Sequence, residues 1–561
     1  MSMTTLPMFR RWILAFPTLA LVLLVLAGSN SLAPQTGNPN PSERERACQA
    51  LVSTRNLTIL SANVVAAKGT TPQYCYVRGL ISPAIHFHVQ LPLPENWNGR
   101  FLHIGDGGTD GDLDFSDQRL AQGYAVANSN TGHDTGSEPG ASFGFNNRQA
   151  EIDFGHRAMH LTVQAGKTLV KDYYSRDPRY SYHEGCSGGG RQGLMAAQRY
   201  PYDFDGIVAG HPPFLFQQRD VLNLYIMQNL FRNEFAGNLA LDTNGDGKFD
   251  SLRKVDILRE AVLAKCDTLD GIRDGVIQDP RQCQLDPKTD LASKMCPGNV
   301  NGEACFTTAQ IASLEAIYGG VRDSKGTLIL KGRSPGSEFA WPADLIPHAG
   351  NSNLPGELNY SGDHMNYLFY EEDPGITPPS LTNLSHKPDK TRQPPEFAWW
   401  EFNPDDWTAG KGKTMSAILD AKDPDLSAFL KGNGGKLLMY HGWGDAQISP
   451  APLVDYYDEM VKVTFAGNVP AAQAGFRLFM VPGMGHCRGG PGPNEWDKLE
   501  PLVDWVENGK APDFIVATHS TDGKVDNERK LCPYQQQAVY TGPAGGENDP
   551  ANWVHGNFTC R

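Results

Sequence analysis

Several things are absent from this chain of 561 residues, and each absence removes a class of function. None of its ten cysteines forms a Cys-x-x-Cys pair, so the clustered ligands of a structural zinc site are missing. No His-Glu-x-x-His occurs, which removes the helix of a zinc protease. Basic residues are in the minority: 49 Lys+Arg stand against 63 Asp+Glu, for a net charge of −14. That balance excludes a basic face for nucleic acid or for an anionic membrane surface. There is no internal repeat and no long low-complexity tract. Disorder is excluded as the main character, because 40% of the residues are hydrophobic and 10% aromatic.

The N-terminus lacks acidic residues before Glu43. Arg10 and Arg11 precede an apolar run from Trp12 to Ala27, and small and polar residues follow through Ala33. That order of basic, apolar and small residues predicts a secretory signal over residues 1–33, whose start also fits a twin-arginine signal loosely. The run of about 16 residues contains Pro17 and is short for a bilayer span, so no stable membrane insertion is expected after cleavage. A secreted or periplasmic location follows. The even number of cysteines then favours disulfides, with their pairing left open by the sequence. Four Asn-x-Ser/Thr sequons, at Asn56, Asn359, Asn383 and Asn557, are glycosylation sites only in a host that glycosylates.

Glycine (59) and proline (40) are abundant, which predicts many turns and long connections. Strand patterns occur at His86–Leu91, Phe101–Ile104, Tyr124–Ala127, Arg179–His183, Lys436–Tyr440 and Phe476–Val481, and residues 154–175 show helical spacing. Strands alternating with helices imply an α/β fold with a mostly parallel sheet. From about Pro213 to Lys431 the alternation is lost. Residues 34–212 and 432–561 therefore read as one core, and 213–431 as an inserted domain.

The chemistry gathers at three turns. Gly185-Cys186-Ser187-Gly188-Gly189-Gly190 lies between a strand candidate and a helix over Arg191–Arg199. Strand, Gly-x-Ser-x-Gly turn and helix make a nucleophile elbow, with Ser187 exposed at its tip. The base predicted for it is His486, in a glycine-rich loop beyond the strand at 476–481. The orienting carboxylate is Asp445, beyond the strand at 436–440, with Asp455 and Asp458 as weaker candidates on a helix. The order Ser187, Asp445, His486 is that of the α/β-hydrolase fold. His441 reads as a hydrogen-bonded loop residue. The two oxyanion donors are predicted as the N–H groups of Gly188 and, from the Gly107-Gly108 turn, of Gly108. His156 and His160, one helical turn apart, read as packed helix residues, not as a metal pair.

Cys186 directly precedes the nucleophile and Cys487 directly follows the histidine, so a bond between them would staple the two loops together. This Cys-Ser…Asp…His-Cys arrangement resembles the tannase and feruloyl esterase family, from about Cys48 to Cys560. The resemblance implies an α/β-hydrolase with residues 213–431 as a lid domain. It also implies the pairs Cys48–Cys75, Cys186–Cys487, Cys266–Cys283, Cys296–Cys305 and Cys532–Cys560. Cys266–Val276 crowds three carboxylates and two glycines into a tight loop that suits calcium. The resemblance implies Asp267, Asp270 and Asp274 as side-chain ligands and Ile272 and Val276 as carbonyl ligands of a structural Ca2+. Asp242–Asp250 imitates the start of an EF-hand loop, but Arg253 stands where a bidentate acid belongs.

The function expected is a secreted serine carboxylic-ester hydrolase. The resemblance implies a small-molecule ester of an aromatic acid as substrate, of feruloyl, galloyl or terephthaloyl type. Aromatic candidates in the inserted domain are Trp341, Phe397, Trp399, Trp400 and Trp407. A serine lipase or peptidase with the same triad is the alternative enzyme. A calcium-stabilised binding module without activity is the alternative of another class, and a full Ser/Asp/His set argues against it.

Overall fold

The apolar runs of the sequence become the strands of one sheet. The computed structural model describes residues 42–370 and 399–561. The export segment expected over residues 1–33, Asn383 and Phe397 lie outside them. The strands are β1 (Thr58–Val65), β2 (Tyr74–Ile81), β3 (Ile85–Pro92), β4 (Arg100–Gly105), β5 (Ala125–Ser129), β6 (Tyr180–Cys186), β7 (Gly206–Gly210), β8 (Lys436–Gly442) and β9 (Phe476–Val481). Their order is β1-β2-β3-β5-β4-β6-β7-β8-β9. From β5 to β9 every pairing is parallel, whereas β1, β2 and β3 form an antiparallel wing that joins β5 antiparallel.

Burial on both faces explains why the central strands read as unbroken apolar runs. In β8, Leu437 and Met439 enter one core layer while Leu438 and Tyr440 enter the other. The first layer is closed by the helix Ala158–Tyr174, whose Met159, Val163, Leu169 and Val170 are buried at helical spacing. The second is closed by the helix Glu500–Asn508 through Leu502 and Trp505. The helical spacing read over 154–175 lies within a longer helical run that begins at Arg148 and whose regular final stretch is Ala158–Tyr174. A wider turn over Asp153–Arg157 precedes it, and Ser175 at φ 56° ends it.

Strand β7 escaped the sequence reading. Gly206-Ile207-Val208-Ala209-Gly210 is wholly buried and too short to show a period. It lies beside β8 in parallel register, Gly206 opposite Lys436, so the long segment leaves and rejoins the sheet between neighbouring strands. Residues 213–431 add no strand to this sheet. They gather a second apolar core around Leu224, Leu230, Phe231, Leu314, Trp341 and Trp399. Five disulfides form, in the pairs the family resemblance implied. Among the described residues, no helix is long and apolar enough to cross a membrane.

Candidate active site

All site loops leave the carboxyl ends of the parallel strands, where open α/β sheets form their crevice. Ser187 sits between the last residue of β6 and the helix Gly188–Arg199. Its backbone adopts φ 58° and ψ −122°, a strained conformation for a residue with a side chain. The surroundings enforce it. Ser187 N–H donates to Gly210 O at 2.9 Å, and Arg191 N–H donates to Ser187 O at 3.0 Å. A Cβ on Gly185 would stand 2.6 Å from the backbone of Gly189, so only glycine lets strand and helix close this tightly. Arg191, fully buried between the rings of Phe154 and Phe216, anchors the helix by donating to the carbonyls of Phe154, Gly155 and Leu419.

The Gly107-Gly108 turn after β4 packs on the start of that helix. A Cβ on Gly188 would meet Asp106 O at 3.0 Å and Gly108 O at 3.3 Å. Gly107 N–H is already taken by Asp106 Oδ1 at 2.6 Å. Gly108 N–H has no partner among the described residues, so it is the glycine with a donor to offer. Tyr360 Oη, from the inserted segment, donates to Gly108 O at 3.2 Å and holds the turn from outside.

Asp445 follows β8 and His486 follows β9. The Nδ1–H of His486 donates to Asp445 Oδ2 at 2.9 Å. Two further imidazoles reach the same oxygen: His211 Nδ1 at 2.8 Å and His441 Nε2 at 3.0 Å. Asp445 Oδ1 accepts the backbone N–H groups of Gln447 and Ile448, each at 2.9 Å. Burial alone would raise the Asp445 carboxyl, but the charge of His486 and these hydrogen bonds hold it well below the usual carboxylate range. Burial alone would lower His486, and the Asp445 carboxylate outweighs it, raising the ring above its ordinary value. His211, buried and beside His441, is pushed down to about 3.

Ser187 and His486 line one cavity of about 400 Å³, together with Gly107, Gly108 and Gly188. The disulfide Cys186–Cys487 borders it. Its apolar walls are Phe216, Ile448 and the ring of Tyr360; its polar end carries Arg219, Glu357 and Asp344. Arg219 lies over the Tyr360 ring and pairs with Asp220 and Glu357. Burial lifts the Glu357 carboxyl to about 7 and raises that of Asp344. The predicted Ser187, Gly188, Gly108 and His486 thus meet in one cavity, with Asp445 behind the imidazole.

Other expectations are placed elsewhere. Trp341, Trp399, Trp400 and Trp407 pack in the core of the inserted segment and do not line this cavity; the described aromatic walls are Phe216 and Tyr360. Asp455 pairs with Lys331 at the surface. His156 and His160 bond Tyr200 Oη and Asp203, each at 2.7 Å, as packed helix residues. The sequence reading missed His211, Arg219, Glu357 and Tyr360. His211 had a signal: it directly follows a glycine-bounded apolar run, the rule that located Asp445.

One acidic loop was read as an ion site and a second as an incomplete imitation of one. In Cys266–Val276, Asp267 accepts the N–H groups of Asp274 and Gly275, and Asp274 Oδ2 accepts from the buried Arg529 at 2.5 Å. Asp270 Oδ2 is buried without a hydrogen-bond partner, and burial lifts that carboxyl to about 6. That oxygen lies 4.0 Å from Arg529, and three acids beside a single buried guanidinium fit a hard cation. In Asp242–Asp250 the oxygens of Asp242, Asn244 and Asp246 accept N–H groups of their own exposed loop.

The family model for tannase and feruloyl esterase matches residues 70–552. The mono(2-hydroxyethyl) terephthalate hydrolase of Piscinibacter sakaiensis is 31% identical over 546 residues, covering 88% of this chain and 86% of that one. A probable feruloyl esterase B-1 of Neosartorya fischeri is 31% identical, with 86% of each covered. The crystal structure of an esterase from Aspergillus oryzae superposes with a TM-score of 0.72 at 25% identity, covering 92% of this chain and all of that one. The chain is a carboxylic ester hydrolase and belongs to the tannase and feruloyl esterase family.

Proposed function

We propose that the chain is an exported serine hydrolase of aromatic-acid esters, working through an acyl-enzyme. Ser187 Oγ attacks the ester carbonyl, and His486 Nε2 takes its proton. Asp445 keeps the Nδ1 proton of His486 in place and stabilises the imidazolium that forms. The N–H groups of Gly188 and Gly108 receive the oxyanion of the tetrahedral intermediate. His486 then protonates the leaving alkoxide, the acyl group stays on Ser187, and water activated by His486 releases the acid. The observation that carries this reading is the 2.9 Å bond from His486 to Asp445 beside a cavity shared by His486 and Ser187.

An aromatic acyl group suits the walls of Phe216 and Tyr360, and the named relatives act on such esters. Residues 213–431 serve as the lid: Phe216, Arg219, Glu357 and Tyr360 all come from them and close the cavity over the sheet. Asp267, Asp270 and Asp274, with the carbonyls of Ile272 and Val276, would hold Ca2+ as a structural ion. Five disulfides and the basic, apolar, small-residue order of residues 1–33 support export.

The test is a serine-directed organophosphonate with mass mapping of the adduct, followed by a substrate panel. Label on Ser187, its loss in Ser187→Ala, and hydrolysis of methyl ferulate, methyl gallate or a terephthalate monoester are the results expected. No label, or turnover of only a triglyceride or a peptide, overturns the reading.

A further inference from the structure

Asp445 serves more histidines than a triad needs. An ionised carboxylate accepts hydrogen bonds and donates none, so each imidazole nitrogen facing Oδ2 must carry a proton. His211 therefore presents Nδ1–H to Asp445, and its other nitrogen, Nε2, accepts the N–H of Gly442 at 3.3 Å. Both ring nitrogens are committed, which fixes one neutral tautomer. His441 presents Nε2–H to the same oxygen, with Ile448 O as a second acceptor at 3.3 Å. Both rings are fully buried. They come from different strand ends, β7 and β8, so the convergence is built by the sheet and not by one loop. The contacts of 2.8 and 3.0 Å close the rings directly onto the carboxylate as hydrogen bonds.

We propose that His211, seconded by His441, is a positioning residue for the esterase triad: its N–H fixes the Asp445 carboxylate and draws charge from Oδ2, which weakens the hold of Asp445 on the His486 proton. The inference rests on the triad reading above. A buried carboxylate with one N–H partner on Oδ2 would hold its full charge against His486 and trap the imidazolium. Three N–H groups on that oxygen divide the charge among them, leaving His486 less tightly bound to its proton. Burial beside His441 keeps His211 itself uncharged, so it supplies a dipole and not a competing cation. The other charged groups that face His486 are Glu357, Arg219 and Asp344, from the inserted segment. A substitution at position 211 leaves all three in place.

The test compares His211→Leu, which removes the donor, with His211→Asn, whose amide nitrogen overlies the lost Nδ1. The readout is kcat/KM of the full chain against pH on a neutral methyl ester that the wild type hydrolyses. In His211→Leu the acidic limb is expected to move upward by about one pH unit, roughly a tenfold loss at pH 6 that shrinks toward pH 9. In His211→Asn the limb should stay within a few tenths of a unit of the wild type. A purely structural histidine would give equal losses at every pH in both variants, and an unmoved limb in His211→Leu overturns the proposal. Should His211→Leu not fold, nuclear magnetic resonance of wild-type protein labelled with 15N-histidine decides. His211 is expected to keep one ring proton, on Nδ1, from pH 9 to pH 5 while His486 titrates; uptake of a second proton by His211 in step with His486 overturns the proposal. Absence of esterase activity in the wild type would overturn the triad reading itself, a result distinct from an active enzyme whose limb does not move.

Discussion

Cys186, the residue before Ser187, is bonded to Cys487, the residue after His486, with their Cα atoms 6.0 Å apart although they stand 301 positions apart in the chain. The bond ties nucleophile loop and base loop at the one place where their separation decides proton transfer. The chain-entropy model assigns a closed loop of this length about 6 kcal/mol of stability. Its effect on geometry is the larger matter, because a displacement of about 1 Å between reacting groups costs on the order of a hundredfold in rate. The double substitution Cys186→Ala/Cys487→Ala should therefore lower kcat of the folded fraction at least tenfold while KM changes less. Steady-state kinetics on protein still folded by circular dichroism, with Tm recorded alongside, checks this; a folded variant with wild-type kcat would show the staple to be dispensable.

Asp445→Asn should be far more damaging than its small change in volume. The carboxylate Oδ2 accepts three imidazole N–H groups and Oδ1 accepts two backbone N–H groups. An amide brings an NH2 against one of these sets of donors, so His486 loses its acceptor or its tautomer. A loss of about three to four orders of magnitude in kcat is expected. The remaining activity should also reach to lower pH. Asp445 is what raises His486, so with its charge gone the ring releases its proton at lower pH and the acidic limb moves down. A kcat/KM profile from pH 4 to 9 reads both effects.

Gly188→Ala tests the oxyanion pocket without touching a titrating group. The new Cβ would stand 3.0 Å from Asp106 O and 3.3 Å from Gly108 O, so the Gly107-Gly108 turn must retreat. Gly108 N–H moves with that turn. Loss of one oxyanion donor costs about a hundredfold to a thousandfold in kcat. KM for a methyl ester should change little, because the ground-state carbonyl does not depend on these donors. Unaltered kcat would mean that Gly108 does not serve the oxyanion.

The parts of this site that the sequence made legible share one property: each lies at the end of a strand long enough to show its pattern. Ser187, Asp445 and His486 each follow such a run within six residues, and their order in the chain ranks them. His211 obeys the same rule but follows five residues bounded by glycines, where no period can be read. The cavity walls were hidden for another reason. Arg219, Glu357 and Tyr360 belong to helices of the inserted segment, and which helix face meets the sheet is decided by packing between distant parts of the chain. The tryptophans of that segment stood out by size, and size sent them into its own core. The antiparallel wing of β1 to β3 was not separated from the parallel strands, because only β3 of the three was read, and its alternation of polar and apolar residues does not name the strand it pairs with.

Calcium should stabilise the chain in a way that depends on pH through Asp270. One oxygen of that carboxyl is buried without a hydrogen bond, 4.0 Å from Arg529, and burial raises the group to about 6. Its unfolded value is about 3.9, so between there and about 6 the folded chain binds the extra proton. Stability of the ion-free protein is therefore fully kept below the unfolded value and lost as pH rises through the folded one. An ion bound by Asp267, Asp270 and Asp274 removes the cause of that loss, because it partners the charged form. Arg529 supplies one positive charge to Asp274 and Asp270 together, which leaves the cluster short of neutrality. The Tm difference between protein in millimolar Ca2+ and protein in chelator should accordingly be a few degrees at pH 7.5 and should shrink toward pH 5, where Asp270 is protonated. Asp270→Asn should abolish the difference and raise the Tm of the chelated protein above that of the chelated wild type at pH 7.5, since the amide carries no charge to bury. Differential scanning calorimetry across that pH range reads all three outcomes, and a Tm indifferent to Ca2+ at pH 7.5 removes the ion from the account of this loop.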